Sequence, residues 1–508
     1  MRTVCARSTD ARRMRARGLL LLAFFQVLLI TPGIQQAQAQ VTAIQPLNPQ
    51  PEEPWQPKPL AIQPAGQPQP MLKYRLLPSD AELTSGDAAP IYLRLRHELP
   101  EEPWKAITEK FTAWSELPLS ELPLAEAVRF IENWSTTLNQ IRFGSRRADC
   151  NWNYTLPEQH LDAIEILLPD AQAMRTWGRL LALKARVEIA QGKPEAAIAT
   201  LETGLAFGRH VGEGPFLINR LVGVAICQMM LERVEELVQQ PGCPNLYWAL
   251  TVLPRPLIAM RTAIETERQM LELMIPELRE PQEEPTAAEW SVAFRRLEDG
   301  LDRLARKIKG SNEPQSGGLK GFLEAWAKGS LKAKLLARAR QELSEGRGWT
   351  AEQVSAMSDD EAVVRYIRST SAELMDEVFA PAYLPDLEPA TSVMNAQAQA
   401  KLANLKTGPL AILAEMAPAI SSARNASLRL DRRIAALRAE EAVRMQAAAV
   451  GGKLPESWAG VSVVPVPLDP TTGAPFTFEV REGGVEITGG RIDHQARTEI
   501  GYRLTTRP

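Results

Sequence analysis

The chain has 508 residues, of which 45% are hydrophobic and 23% are charged. This balance is typical of globular proteins and excludes wholesale disorder, a collagen-like chain and a protein with many membrane spans. With 58 basic and 61 acidic residues the net charge is -3, so the composition gives no reason to expect a nucleic-acid partner.

The first 39 residues have the three parts of a secretory signal peptide. An arginine-rich segment at residues 1–17 precedes an apolar run at residues 19–30, and Ala37-Gln38-Ala39 matches a signal-peptidase site. As a helix the apolar run would span about 18 Å, which is short for a membrane span. The sequence therefore predicts an exported protein, periplasmic or secreted; an uncleaved N-terminal anchor is the alternative. No second apolar run is long enough to span a bilayer, so we expect no transmembrane segment after cleavage.

Residues 40–71 are rich in proline and glutamine. Proline fixes φ and removes a hydrogen-bond donor, so the composition favours extended polyproline II over a packed element. We expect a linker between the signal peptide and the folded body. A ligand for a proline-recognising domain is the alternative.

A helical domain is predicted over residues 72–285. Its clearest part is a helical hairpin: one helix from about Asp170 to Gln191, a turn at Gly192-Lys193-Pro194, and a second helix to about Val211.

The hairpin resembles a single tetratricopeptide repeat. Small residues stand at Ala185, Ala197 and Gly204, where that repeat brings its two helices close together. Glu188 and Leu201 occupy positions that are usually aromatic in the repeat, and no second copy follows. We therefore expect one helical hairpin and no repeat array.

The rest of the chain is predicted to be helical up to a short β-rich end. Residues 286–390 form a helical region, and residues 391–450 form long alanine-rich helices. Residues 451–508 form a small cap, with strands expected at residues 461–465, 476–480, 485–487 and 499–504. The expected fold class is therefore mainly α: a tetratricopeptide-like helical bundle or solenoid with a small C-terminal antiparallel β-sheet.

Several strings resemble a family of exported planctomycete proteins of uncharacterised function. They are Asp149-Cys-Asn-Trp152, Arg209-His-Val-Gly-Glu-Gly-Pro-Phe216, Pro241-Gly-Cys-Pro-Asn-Leu-Tyr-Trp-Ala-Leu250 and Leu253-Pro-Arg-Pro-Leu257. The resemblance covers most of residues 70–450. It implies a bacterial, exported protein and carries no activity.

The tail is similar to the C-terminal region of type II secretion pseudopilins. The similarity covers about 60 residues and rests on Gly451-Gly-Lys-Leu-Pro-Glu-Ser457 and on Pro465-Val-Pro-Leu-Asp-Pro-Thr-Thr-Gly-Ala-Pro-Phe476. It implies that a helix leads into a small sheet. It implies no role in a pilus, because the helix of a pseudopilin begins at its own processed N-terminus, whereas the helical stretch here begins near residue 391. Asp469 and Asp493 alone do not make a calcium loop.

The sequence contains few residues that could assemble a reaction centre. It has four histidines and no HExxH, GxSxG or phosphate-binding-loop motif. Cys150 follows Asp149, which does not favour a reactive thiolate. We predict no catalytic residue, no cofactor and no metal site. Because export permits disulfides, a Cys150–Cys243 bond is one possibility; free thiols are the other.

Two groups of residues are candidates for a binding surface. Arg209, His210 and Glu213 lie at a corner between two helices, and Tyr247 and Trp248 lie at the start of a helix. They could contact a peptide or another protein. The alternatives are a corner whose charges satisfy helix ends and aromatic residues that anchor the core.

These observations favour an exported scaffold that binds a protein or peptide in the cell envelope. Two alternatives remain open. One is a hydrolase of envelope glycans that uses Glu188, Glu213 and Asp149 as its acids. The other is a structural component of a secretion or envelope assembly, for which the tail is the only indication.

Overall fold

The computed structural model describes residues 55–98, 101–153, 163–309, 331–384, 390–405, 420–491 and 499–507. The predicted signal peptide and the first part of the predicted linker lie outside these residues.

The described residues are mainly helical, which confirms the predicted fold class. Their fifteen α-helices are α1 Ala89–Glu98, α2 Glu101–Ser115, α3 Leu124–Asn133, α4 Ser135–Ser145, α5 Ala163–Ala190, α6 Pro194–Gly212, α7 Leu217–Leu237, α8 Tyr247–Thr251, α9 Arg261–Met274, α10 Ala287–Lys309, α11 Leu331–Gly346, α12 Ala351–Ala356, α13 Asp359–Phe379, α14 Ala390–Leu405 and α15 Ile420–Ala449. The strands are β1 Lys58–Ile62, β2 Thr84–Asp87, β3 Arg147–Asp149, β4 Thr477–Arg481, β5 Gly484–Gly489 and β6 Ile500–Thr506. None of the described helices combines the length and the apolar character needed to cross a bilayer.

The chain forms two compact units. The smaller unit contains residues 154–168 and 264–421 as far as they are described, and the larger unit contains residues 49–153, 169–263 and 422–508. Both candidate groups of binding residues belong to the larger unit.

The predicted helical hairpin is present in the larger unit as α5 and α6, joined by a turn in which Gly192 has a φ of 67°. A third helix, α7, packs closely on α6. A Cβ atom on Gly204 would lie 2.2 Å from the sulfur of Met230, and one on Gly208 would lie 2.7 Å from Sγ of Cys227. The small residue at position 204, which suggested close packing within the hairpin, therefore serves the contact with α7.

The C-terminal sheet contains a strand that the sequence did not predict. Its order is β1-β6-β5-β4, with antiparallel pairing of β4 with β5 and of β5 with β6 and parallel pairing of β1 with β6. The sheet is therefore mixed, and the expectation of a purely antiparallel sheet was wrong at this edge.

The interpretation of residues 40–71 as an unpacked polyproline II linker is wrong for residues 58–62. Leu60 and Ile62 are each 1% exposed, so the strand buries alternate apolar side chains. Pro59 is compatible with this strand because β1 lies at the edge of the sheet, where a missing donor is tolerated.

Residues 461–465 do not form the predicted strand. Val461 and Val464 instead pack in a cluster with Ala442 and Met445 of α15. Their spacing of three residues suits an irregular segment that contacts a helix rather than a strand with alternating faces.

The smaller unit is helical, and two of its helices begin at a residue whose side chain caps the helix. The side chain of Thr350 accepts a hydrogen bond from the amide of Gln353 at the start of α12, and that of Ser358 accepts one from Glu361 at the start of α13. In α10, Trp290, Phe294 and Leu297 are buried, as the apolar spacing requires.

Candidate functional site

Close packing of α6 and α7 creates the corner where three of the candidate residues lie. A Cβ atom on Gly223 of α7 would lie 2.6 Å from the carbonyl oxygen of Gly208 and 2.8 Å from Cα of Gly212, both in α6. These neighbours are backbone atoms and cannot turn aside. Glycine is therefore required here, and it allows the two helices to meet close to the residues that follow α6.

His210 is buried at this corner and is not a surface contact. It is 8% exposed, and its Nδ1 is hydrogen-bonded to the hydroxyl of Tyr92 at 3.0 Å. Its carbonyl oxygen accepts a hydrogen bond from the indole of Trp152 at 2.9 Å. Burial, assisted by the nearby Arg209, lowers the pKa of His210 to about 4. The imidazole is therefore neutral at pH 7, and the prediction that His210 contacts a partner was wrong.

The short pair of strands β2 and β3 brings Asp87 and Cys150 to the same corner. Asp87 Oδ1 accepts hydrogen bonds from the amides of Ala89 at 3.0 Å and Asn151 at 2.8 Å, so it caps α1 and fixes the segment after β3. Burial, with further contributions from Glu213 and Asp87, raises the pKa of the Cys150 thiol. The thiol stays protonated at neutral pH, which is unfavourable for a nucleophile.

The suggested disulfide is not formed. Cys150 and Cys243 are both free and buried. Cys150 lies beside Asp87 and Glu213, whereas the backbone carbonyl of Cys243 accepts a hydrogen bond from Arg444 of α15. The two thiols are therefore buried among different residues.

The three acids proposed for a hydrolase are not brought together. Glu188 forms an ion pair with Lys184 and accepts a hydrogen bond from the hydroxyl of Thr200 at 2.6 Å. Thr200 is near the start of α6 and Glu213 follows its end, so the two carboxylates are about 20 Å apart along the helix.

Asp149 and Glu213 do lie at the same corner. The side chain of Glu213 is exposed, yet the protein around its carboxyl group raises its pKa and Asp149 adds to this effect. Arg209 and Arg220 oppose the rise. Glu213, Asp149 and the partly exposed Arg209 are therefore corner residues whose side chains reach solvent.

Tyr247 is a core residue, and its assignment to a binding surface was wrong. It is 1% exposed, its hydroxyl donates a hydrogen bond to the carbonyl oxygen of Pro465 at 2.7 Å, and it packs with Ala442 and Met445 of α15. Trp248 is partly buried against the same cluster, with its ring 5.2 Å from that of Tyr247. The sequence places these aromatics at a helix start but does not show that α15 and the 461–465 segment cover them.

A set of buried charged residues around α15 was not predicted from the sequence. Among the described residues, the ones with the least exposed charged side chains include Arg432, Glu440, Glu441 and Arg444, all in this helix. The charges were visible in an alanine-rich helix, but the sequence does not show that they are buried. Glu441 and Arg444 pair within the helix, whereas the partner of Arg432 is the distant Asp469.

No group of three or more histidine, cysteine, aspartate or glutamate side chains within the described residues is arranged to hold a metal ion. Comparison with protein-family models, curated proteins and solved structures finds no match to this chain.

Proposed function

We propose that this protein is exported to the cell envelope of a bacterium and acts there as a scaffold that binds a protein or peptide partner. The proposal joins the predicted signal peptide to the chemistry of the α6–α7 corner. It assigns binding to the exposed side chains at that corner and a structural role to the buried ones.

One observation carries the proposal: the histidine and the cysteine of the corner are buried and neutral, whereas the charged Arg209 and Glu213 reach solvent. His210 is bonded to Tyr92, and Cys150 is held protonated by burial and by its acidic neighbours. Such groups stabilise a corner but are poorly suited to acid–base or nucleophilic chemistry.

The partner surface would centre on Arg209 and Glu213, which present opposite charges. A partner segment with one acidic and one basic side chain would complement them. Such pairing sets specificity and orientation more than affinity.

Capture of partners by charge-reversed protein tests this surface. The chain without residues 1–39 and its R209E/E213R variant are used to capture proteins from envelope extracts. We expect the variant to lose a partner that the parent chain retains, because both contacts become repulsive. The matched control is R338E/E342R, which reverses an exposed ion pair of α11 in the smaller unit.

Equal capture by all three proteins would contradict the assignment to this corner. Turnover of cell-wall glycans that is abolished by both D149N and E213Q would favour the hydrolase alternative, since Asp149 and Glu213 are the two candidate acids that share the corner.

A further inference from the structure

The segment of residues 58–65, called the arm here, is attached to the larger unit by more than its strand. Within it, β1 pairs with β6, and the amide of Ala65 donates a hydrogen bond to the carbonyl oxygen of Arg444 at 3.2 Å. Nε of Arg444 donates in return to the carbonyl oxygen of Gln63 at 3.0 Å. The arm is therefore held at its far end by Arg444 of α15 and by Asn245, whose Nδ2 donates a hydrogen bond to the carbonyl oxygen of Ala65 at 3.3 Å.

The guanidinium group of Arg444 is fully engaged. Besides its bond to Gln63, Nη1 donates to Oε1 of Glu441 at 2.6 Å and Nη2 donates to the carbonyl oxygen of Cys243 at 3.1 Å. The side chain is 1% exposed, so these contacts replace its hydration. The positive charge of Arg444 is balanced by Glu441.

Glu440 is buried beside this group and accepts no hydrogen bond from it. It is 0% exposed, and neither of its carboxyl oxygens accepts a hydrogen bond from an N–H or hydroxyl group, whereas its neutral form can donate one to Glu441. Its Oε1 lies 3.9 Å from Nε of Arg444, which is already bonded to Gln63. An isolated carboxylate in such a place is strongly unfavourable, whereas a neutral carboxyl group is tolerated.

Among the described residues, Arg444 is the cation that acts on Glu440. The negative charge of Glu235 is already matched by Arg433 at 2.7 Å and Lys58 at 2.5 Å. Burial, and then Glu441, raise the pKa of Glu440. The titratable and charged groups that act on Glu440, or on which it acts, are Glu441 and Arg444 of α15, Glu235 of α7, Cys243 before α8 and Tyr502 of β6.

We propose that Glu440 is a proton-operated latch for the arm: while its carboxyl group is neutral, Arg444 holds Gln63, and when the group ionises, Arg444 turns from Gln63 to Glu440. The proton passes to a base in solution. The new carboxylate is 3.9 Å from Nε and accepts a hydrogen bond from a cation more strongly than a backbone carbonyl does. The arm then loses one of its attachments beyond β1.

Amide hydrogen exchange of residues 58–65 tests the latch in the chain without residues 1–39. Protection is measured between about pH 5 and about pH 9 and corrected for the intrinsic pH dependence of exchange. We expect protection in the parent chain to fall as pH rises, by up to about tenfold per pH unit over the range in which Glu440 is ionised in the open state and still neutral in the closed state. In E440Q, which keeps the shape and removes the ionisation, protection should not change with pH.

Two further variants distinguish ionisation of Glu440 from general effects of substitution and pH on the protein. E479Q changes an exposed residue of β4 and should keep the pH dependence of the parent chain. E441Q removes the partner of Arg444 and should lower protection of the arm at every pH.

The proposal is overturned if the parent chain and E440Q show the same pH profile. Should E440Q fail to fold, the infrared spectrum of the parent chain with isotopically labelled glutamate decides. A neutral glutamic acid at pH 7 supports the latch, and its absence refutes it.

Discussion

Individual side chains in the larger unit show how burial changes the meaning of a sequence pattern. Tyr247 and His210 are polar-tipped residues that could equally well bind a ligand or fill a core. Both are covered by segments distant in sequence, Tyr247 by α15 and His210 by Tyr92 and Trp152. Local sequence fixes neither neighbour, so burial at these positions could not be predicted.

The pKa of Glu235 is shifted in the opposite direction from that of Glu440, and the effect on stability can be tested. Burial alone would raise the pKa of Glu235, but Arg433 and Lys58 outweigh it and lower the pKa to about 2. Its contribution to stability is therefore complete above the ordinary glutamate pKa of 4.5 and is lost as pH falls towards about 2.

We expect E235Q to lower the free energy of unfolding at pH 7 by up to about 3–5 kcal/mol, because the largely buried Arg433 loses its closer carboxylate and keeps the more distant Glu232 at 3.5 Å. Urea denaturation of both proteins should show the difference shrinking in acid. E126Q, which removes an exposed carboxylate paired with Lys110, should cost about 0–1 kcal/mol. A constant difference between E235Q and the parent chain at all pH values would refute the linkage.

Secondary-structure elements were predictable where local signals suffice. The helix starts at Thr350 and Ser358 follow from capping side chains, and the α5–α6 hairpin follows from apolar spacing and Gly192. Strand β1 was missed because prolines dominate its neighbourhood and its partner, β6, is near the other end of the chain. Parallel pairing leaves no turn signal between the two strands.

Substitution of Leu60 tests whether β1 is part of the folded core. We expect L60A to lower the free energy of unfolding by about 2–5 kcal/mol, because a fully buried leucine is truncated. The matched control is M71A, whose side chain is 46% exposed and should change stability by less than about 0.5 kcal/mol. Equal, small effects of the two substitutions in chemical denaturation would mean that β1 is dispensable.

At the scale of the whole molecule, the chain divides into two units, each with buried apolar residues of its own. The sequence indicated helices throughout residues 72–450 but not which of them share a unit. Membership depends on long-range packing: α15 joins the larger unit although α14, which precedes it, belongs to the smaller one.

Calorimetry tests this division. We expect two unfolding transitions, because units with separate cores unfold as separate cooperative blocks. W290A truncates a residue of α10 that is 1% exposed, so it should lower the melting temperature of one transition and leave the other in place. A single transition that shifts as a whole would show that the units unfold together.

The pairing of β1 with β6 also constrains the order in which the protein acquires its structure. Lys58 aligns with Tyr502, so a strand that is synthesised early cannot pair until β6 has also been synthesised. Leu60 and Ile62 lack their β6 neighbours throughout that interval, and contacts between such remote positions form slowly. A chain that terminates before β6 would therefore keep β1 without its partner strand, and we expect such a chain to aggregate.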